Sequence, residues 1–160
     1  MAIVLARVDD RLIHGQVVVG WTRAVRATHI VVADDEVSKD KTQVMLLKMA
    51  APVGVKASIL SVDEAIKKLL SNDLKNDRVL LLVSGPKSLL RLIEGGVSLK
   101  EVIIGNVRIA EGRIRITKEV AASKEEIEYW KKLDNINITL KAQWLPDSKP
   151  TDFNQIIRKY

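Results

Sequence analysis

The chain has 160 residues, 47% of them hydrophobic and 29% charged, a composition typical of one globular domain, here residues 1–160. The absence of cysteine excludes disulfides, thiolate catalysis and cysteine-ligated metals, and it fits a cytoplasmic protein. The net charge of +6 predicts an anionic partner, but basic residues alternate with acidic ones and lack neighbouring aromatic residues, which argues against nucleic acid.

Strand-like and helix-like segments alternate along the chain, which predicts an open, twisted, mostly parallel α/β sheet of about seven strands with helices on both faces. The densest apolar run is far shorter than the roughly 18 residues of a membrane span, so no membrane insertion is expected. The predicted strands are Ile3–Val8, Ile30–Ala33, Ala57–Leu60, Val79–Ser84, Glu101–Ile104, Ile114–Ile116 and Asn137–Lys141. The predicted helices are Val17–Val25, Lys39–Ala50, Ala65–Leu70, Lys87–Glu94, Ile127–Leu133 and a last helix capped by Thr151 that runs through Lys159.

Local signals set several of these boundaries. The segments Ser61–Glu64 and Ser123–Glu126 have the Ser-x-x-Glu spacing of a capping box at a helix start. Pro86 fits a first helical position, and a pair of glycines, Gly95 and Gly96, fits the end of the same helix. Ala110–Gly112 stands between two short β-like runs and predicts a hairpin turn there.

The segment Arg7–Gln16 leads from the first predicted strand into the first predicted helix and contains His14. Ligands of open α/β sheets bind at the carboxyl ends of strands, and a helix start there adds unpaired N–H groups and a positive dipole end. With Arg7 and Arg11 nearby, this position suits a histidine that accepts a phosphoryl group. Gly15 lets the backbone turn sharply and approach an anion. The alternative is a polar helix cap with solvated arginines.

Other residues offer competing chemistry. Ser84 ends the fourth strand and precedes a helix, so its hydroxyl is a candidate wall of an anion site. The pairs Asp9/Asp10 and Asp34/Asp35 follow strands and are candidate Mg²⁺ ligands of a phosphate-ester hydrolase, although hydrogen bonding to loop backbone and Arg11 is the favoured role. His29 enters a strand alone and is expected to be structural. No cofactor motif and no histidine spacing for a metal site is present.

At Arg7-Val8-Asp9-Asp10-Arg11-Leu12-Ile13-His14-Gly15-Gln16 the chain resembles the IIB subunit of the mannose/fructose/sorbose family of the bacterial sugar phosphotransferase system (PTS). The resemblance continues nearly end to end through Asp35–Val37, Leu47–Gly54, Arg91–Gly96 and Gln143–Pro146. Similar chains often have Asn-x-Gly-Gly-Met and Thr-Asn-Pro where this one has Ile103-Ile104-Gly105-Asn106-Val107 and Ser84-Gly85-Pro86. Both departures are expected to shape loops around the histidine, so the sugar and partner preference stay open.

The resemblance implies that His14 takes a phosphoryl group at Nδ1 from a phosphohistidine of a IIA protein. It then passes the group to a sugar delivered by the membrane subunits IIC and IID, which place the chain at the cytoplasmic side of the membrane. The chemistry of phosphoryl transfer assigns charge stabilisation to Arg11, to Arg7 and to the backbone amides of Gly15 and Gln16. Arg7 and Arg11 are also expected to dock the IIA protein. The metal-dependent hydrolase and a basic nucleic-acid-binding domain stay as alternatives.

Overall fold

The computed structural model describes residues 2–160, in which a seven-stranded sheet carries helices on both faces. The strands are β1 (Ala2–Val8), β2 (His29–Ala33), β3 (Lys56–Leu60), β4 (Arg78–Val83), β5 (Glu101–Ile104), β6 (Ile114–Arg115), β7 (Ala121–Ala122), β8 (Thr139–Ala142) and β9 (Thr151–Asp152). The helices are α1 (Gly15–Val25), α2 (Lys41–Ala50), α3 (Val62–Leu70), α4 (Pro86–Glu94), α5 (Lys124–Asn135) and α6 (Phe153–Ile157), and a 3₁₀ turn covers Val37–Lys39.

The sheet has the order β3-β2-β4-β1-β5-β8-β9, and all its neighbouring strands are parallel except β8 and β9. Strand β1 therefore lies in the interior, between β4 and β5. Because helices cover both faces, the central strands are continuous aliphatic runs; every residue of β2 is buried, as are all but the first of β4. The predicted parallel sheet with helices on both faces is confirmed.

Two hydrophobic cores flank the sheet. On one face α1 buries Val17, Val18 and Trp21 against the strands, while α2 contributes no fully buried residue and leaves Met45 and Met49 exposed. On the other face α3, α4, α5 and α6 enclose a larger core in which the rings of Trp130 and Phe153 meet edge to face with centroids 5.2 Å apart. The helix α1 is thus fixed along one whole side, which fixes the loop that precedes it.

Of three predicted helix starts, two differ from prediction and one is confirmed. The segment predicted as one helix from Lys39 is split, because Asp40 is extended and its carboxylate accepts hydrogen bonds from the backbone N–H groups of Thr42 and Gln43. The capping box at Ser123 is confirmed in both of its bonds. At Ser61 the hydroxyl accepts the N–H of Glu64, but the Glu64 carboxylate bonds to that hydroxyl rather than to the Ser61 backbone.

The end of the chain and the predicted hairpin turn also differ. Thr151 lies in β9, and Asp152 caps α6, which ends at Ile157 rather than at Lys159. A turn does form at 110–113, but the hairpin pairs β6 with β7 across residues 116–120, outside the main sheet. The antiparallel strand β9 takes the seventh place instead. Strands β6, β7 and β9 are each two residues long, too short for a hydrophobic pattern to identify them. Within residues 2–160 no helix is long and apolar enough to span a membrane.

Candidate active site

His14 lies at the carboxyl edge of the sheet, in the loop between β1 and α1. The chain leaves β1 toward the face that carries α1, whereas it leaves the neighbouring β4 and β5 toward the other face, so a crevice opens above β1. His14 is the N-cap residue of α1, with extended backbone at φ −153° and ψ 136°, yet its side chain makes no capping hydrogen bond. The ring nitrogens of His14 therefore do not serve as helix-capping groups.

The loop backbone is held in an unusual shape on both sides of the histidine. Leu12 and Gly15 have φ of 60° and 47°, values in the left-handed region that cost a non-glycine residue about 1–2 kcal/mol. Leu12 and Ile13 are buried, and this burial offsets the strain at Leu12. A Cβ on Gly15 would meet no heavy atom within 4 Å, so the backbone angle rather than lack of room favours glycine there.

Arg11 is positioned by a buried carboxylate. Asp9 accepts the Arg11 backbone N–H at 3.0 Å and the Nε–H at 3.3 Å, and Nη2 lies 3.5 Å away. The Asp9 side chain is 2% exposed, whereas the Arg11 side chain is 37% exposed, so one member of the pair is anchored and the other reaches solvent. The indole ring of Trp144 lies against the guanidinium, 5.1 Å from its Cζ. No hydrogen bond within residues 2–160 uses Nη1 of Arg11.

Arg7 is not the exposed docking residue that was expected; that prediction is wrong. The residue is 1% exposed, and its Nη1 and Nη2 donate to the backbone carbonyls of Gln143 at 2.9 Å and Trp144 at 3.1 Å. Its Cζ lies 5.1 Å from the Trp21 ring centroid, and its Nη2 lies 3.8 Å from Oδ2 of Asp9. Burial lowers the Arg7 pKa to about 10 against the opposing pull of Asp9. Both terminal nitrogens are occupied, so Arg7 acts on the site from beneath as a fixed positive charge.

The surroundings of His14 favour its neutral form. Partial burial lowers the pKa of the His14 imidazole below its usual 6.5, and the positive charge of Arg11 lowers it further, while Asp9 and Asp10 oppose the shift. The N–H groups of the first turn of α1, including those of Gly15 and Gln16, have no intrahelical partner and add positive potential. Gly15 and Gln16 are both exposed. A neutral imidazole keeps the lone pair that a nucleophile needs.

The two ring nitrogens of His14 differ in access. Nδ1 is out of contact with solvent and, among residues 2–160, has no hydrogen-bond partner. Nothing in the described structure therefore locks the ring through that atom. Attack by Nδ1 on an incoming phosphoryl group requires the ring to turn.

Ser84 and the carboxylate pairs form a second polar region at the same edge. The Ser84 hydroxyl donates to Oδ2 of Asp34 at 2.7 Å, while Oδ1 of Asp34 accepts two loop amides. Asp35 accepts a hydrogen bond from the Val62 amide and pairs with Arg91. The amide and then the Arg91 guanidinium lower the Asp35 pKa. These groups border a cavity of about 510 Å³ whose lining does not include His14. The Ser84 hydroxyl is thus bound to Asp34.

The carboxylates are engaged by protein donors, as the favoured role predicts. Asp10 accepts hydrogen bonds from the Asn106 side chain at 3.2 Å and the Arg108 amide at 2.9 Å. In the described part of the chain no three His, Asp or Glu side chains are grouped in a way that could hold a metal ion. Asn106 belongs to the segment Ile103–Val107, which departs from the family pattern. Through its hydrogen bond to Asp10 this segment shapes the histidine loop.

Trp144 packs partly buried against the core on the α1 face, and the sequence pattern does not identify it as part of this site. Its carbonyl accepts the indole N–H of Trp21 at 3.0 Å in addition to the Arg7 guanidinium, and its ring contacts Arg11. The partners of Arg7 lie 136 and 137 positions away, so no local pattern reports the contact. The only signal in the sequence was that Trp144 belongs to the motif Gln143–Pro146.

Comparison with known proteins identifies the family of the chain. The model of the family described as PTS system sorbose subfamily IIB component matches residues 3–160. The chain is 36% identical over 158 residues to the PTS system fructose-specific EIIB component of Bacillus subtilis, covering 99% of this chain and 97% of that protein. It is 37% identical over 143 residues to the mannose-specific EIIAB component of Escherichia coli, covering 89% of this chain and 44% of that longer protein.

The fold also matches that of a solved structure. The IIBSor domain of the sorbose permease from Klebsiella pneumoniae superposes with a TM-score of 0.95 at 29% identity, covering 99% of this chain and 98% of that one. Fold and sequence together define a sugar phosphotransferase component of the IIB class. Within that class, the chain belongs to the mannose/sorbose family of PTS IIB components.

Proposed function

We propose that His14 accepts a phosphoryl group from a phosphohistidine of a IIA protein and passes it to a sugar handled by the IIC and IID membrane subunits. This makes the chain a protein-Nπ-phosphohistidine–sugar phosphotransferase that works in the cytoplasm, peripheral to the membrane. The observation that carries the proposal is a histidine at the carboxyl edge of the sheet and at the start of α1, beside a guanidinium that a buried Asp9 holds. Names of relatives, which include fructose-, mannose- and sorbose-specific components, support a hexose of that class.

The step is an exchange between two imidazoles. The N–P bond to the donor ring breaks as the N–P bond to His14 forms, and one proton passes from the His14 ring to the departing donor ring. The transition state is loose, with charge spread over three equatorial oxygens, so the protein mainly positions the nucleophile and stabilises that charge. Arg11 donates to those oxygens through its free Nη1, and the amides of Gly15 and Gln16 donate from the helix start.

We propose Nδ1 as the acceptor, as in the resemblance, which requires the ring to turn from its position in the structure. The turn breaks no hydrogen bond at Nδ1, because that atom has no partner among the described residues. Arg7, with both terminal nitrogens bound to carbonyls, contributes positive potential and does not contact the phosphoryl oxygens.

The decisive experiment is to incubate the chain with a phosphorylated IIA protein and to examine the product by phosphorus and ¹⁵N-edited NMR. We expect one acid-labile phosphoryl group per chain, bound to Nδ1 of His14. Phosphate on Nε2 would contradict the ring turn but retain the carrier function. Absence of label, or label on another residue, would refute the function.

The docking surface includes Arg11 and excludes Arg7. Arg108 is an exposed neighbour, with an 83% exposed side chain 3.8 Å from Asp10, and is a suitable rim position to test. Charge-steered encounters mainly gain association rate and weaken with salt. Higher ionic strength and Arg108→Glu should therefore each raise the donor concentration needed for half-maximal uptake. Uptake indifferent to both, or blocked by micromolar double-stranded DNA at physiological salt, would contradict this docking surface.

A further inference from the structure

We propose that Trp144 is a positioning residue for phosphoryl transfer, whose indole ring holds Arg11 in the orientation that receives the phosphoryl oxygens. This inference rests on the proposed function of His14. It concerns a residue 130 positions beyond the histidine in sequence, on the loop that follows β8.

The contact itself is the first observation. The Arg11 Cζ lies 5.1 Å from the Trp144 ring centroid, within the range of a cation–π interaction. Asp9 binds the same guanidinium through Nε and lies close to Nη2. The Trp144 ring and the Asp9 carboxylate together restrict the tilt and the rotation of the guanidinium. Neither of them binds Nη1.

The second observation is that the ring has a rigid support. The Trp144 carbonyl accepts hydrogen bonds from Arg7 at 3.1 Å and from the Trp21 indole at 3.0 Å, and the Gln143 amide donates to Ile104 at 3.0 Å. The Gln143 side chain closes the loop by donating to the carbonyls of Pro146 and Ser148. The loop is thus held by its backbone, and the indole ring both packs, partly buried, against the core on the α1 face and contacts Arg11.

Because the Trp144 carbonyl and the Trp144 ring make different contacts, a substitution can remove the ring and leave the carbonyl's hydrogen bonds in place. Trp144→Leu removes the ring but keeps the carbonyl that anchors Arg7 and Trp21. Arg11 alone has many rotamers because its side chain is partly exposed. Without the ring, the guanidinium reaches the productive orientation in a smaller fraction of encounters, and the transfer slows while the donor is still bound.

The test is a double-mutant cycle on the rate of phosphoryl uptake from saturating phosphorylated IIA protein. We expect Trp144→Leu to slow uptake about tenfold, and Trp144→Phe, which restores a ring, to slow it only about threefold. In an Arg11→Ala background, Trp144→Leu should change the rate less than twofold. Equal slowing in both backgrounds, or no slowing in the parent background, would overturn the proposal. Denaturant melts of each variant identify any that fail to fold.

A second readout does not depend on transfer. In ¹H–¹⁵N spectra of the unphosphorylated chain, the Arg11 Nε–H signal, assigned by its loss in Arg11→Lys, should be shifted upfield by the indole ring. That shift should disappear in Trp144→Leu and persist in part in Trp144→Phe. If the parent chain accepts no phosphoryl group, the proposed function fails, and the presence or absence of this shift still supports or refutes the placement of the ring.

Discussion

The two histidines stand at opposite ends of the parallel strands and differ in what surrounds them. His14 follows β1 at the carboxyl edge, whereas His29 opens β2 at the amino edge. Burial is the main cause of a lowered pKa in both, and in both Nδ1 lacks a hydrogen-bond partner among residues 2–160. The lowered pKa therefore does not distinguish a reactive histidine from a structural one in this fold.

What differs is the polar setting of each ring. Nε2 of His29 lies 2.7 Å from the Ser58 hydroxyl, and its Nδ1 faces the Asp77 carboxylate at 3.8 Å, too long for a hydrogen bond. His14 instead lies among arginines and the open N–H groups of a helix start. Carboxylates lie near both rings, but beside His14 the Asp9 carboxylate is paired with Arg11, and Asp10 accepts hydrogen bonds from Asn106 and the Arg108 amide. The carboxyl edge is equipped for an anion, and the amino edge is not.

The neighbouring arginines repeat this contrast. At the amino edge Arg78 donates to the carbonyls of Val25 and Arg26, and its own amide is bound by the Thr28 hydroxyl, which in turn bonds Asp77. Its Nε and Nη2 join strand to loop, and among residues 2–160 its Nη1, like that of Arg11, has no hydrogen bond. The two arginines differ in place, because Arg11 lies in the loop that carries His14 whereas Arg78 opens β4 at the other edge. The comparison predicts that substitutions at the carboxyl edge alter chemistry and that those at the amino edge alter stability alone.

The largest expected effect is the loss of labelling in His14→Ala. If His14 is the sole acceptor, this variant takes up no phosphoryl group, while His29→Gln retains uptake within about threefold of the parent rate. Incubation with a phosphorylated IIA protein, followed by measurement of acid-labile phosphate, gives the comparison directly. Label on His14→Ala would show that the two edges have been assigned wrongly.

Arg11→Lys should slow uptake about a hundredfold, equivalent to roughly 3 kcal/mol of transition-state stabilisation, because an ammonium cannot reproduce the directional guanidinium contact. The matched change at the other edge, Arg78→Lys, should leave the rate within about threefold. Quench-flow kinetics with circular dichroism as a folding control measures both. A rate near that of the parent for Arg11→Lys would mark it as an ordinary surface charge.

Gly105→Ala should destabilise the fold by about 2 kcal/mol, since a Cβ there would overlap the buried guanidinium of Arg7. Gly20→Ala is the control: its Cβ would meet only Pro146 at 3.8 Å, and alanine in a helix interior is favoured over glycine by about 1 kcal/mol. Urea unfolding of the two variants should move in opposite directions. Equal midpoints would mean that Arg7 relaxes without cost.

The smallest expected effect is on the pH dependence of the free energy of unfolding. Because burial lowers the pKa of His29 below 6.5 in the folded chain, the unfolded chain binds more protons as the pH falls. The stability is complete above the unfolded pKa and is lost as the pH drops toward the folded one. His29→Gln should flatten the decline between pH 7 and pH 5 in urea midpoints, and the remaining slope should include His14. An unchanged slope would show that His29 does not contribute.

The same direction of shift at His14 predicts its activity profile. Its lowered pKa keeps the imidazole neutral to a more acidic pH than in an unperturbed histidine, so phosphoryl uptake should fall only at correspondingly lower pH. Rapid-quench rates across that range test this, and a decline centred at or above pH 6.5 would contradict the local field of Arg11 and the helix start.

Local features could be predicted from the sequence, and tertiary ones could not. The Ser123 capping box, the start of α4 at Pro86 and the position of His14 between strand and helix all depend on neighbours within a few residues. The burial of Arg7 depends on carbonyls more than 130 positions away, so its basic character suggested exposure instead. Strand β9 is two residues long and exposed, and no pattern of that length identifies a strand.

The close fit of Arg7 against Gly105 constrains the order in which this protein can change. A side chain cannot be added at Gly105 while the guanidinium occupies that space, and Arg7 cannot leave without freeing the Gln143 and Trp144 carbonyls. The two positions are therefore epistatic: a larger residue at Gly105 becomes acceptable only after Arg7 has been shortened. Directed evolution of the Ile103–Val107 segment should begin from variants at position 7, because single-step libraries at Gly105 will yield mostly destabilised chains.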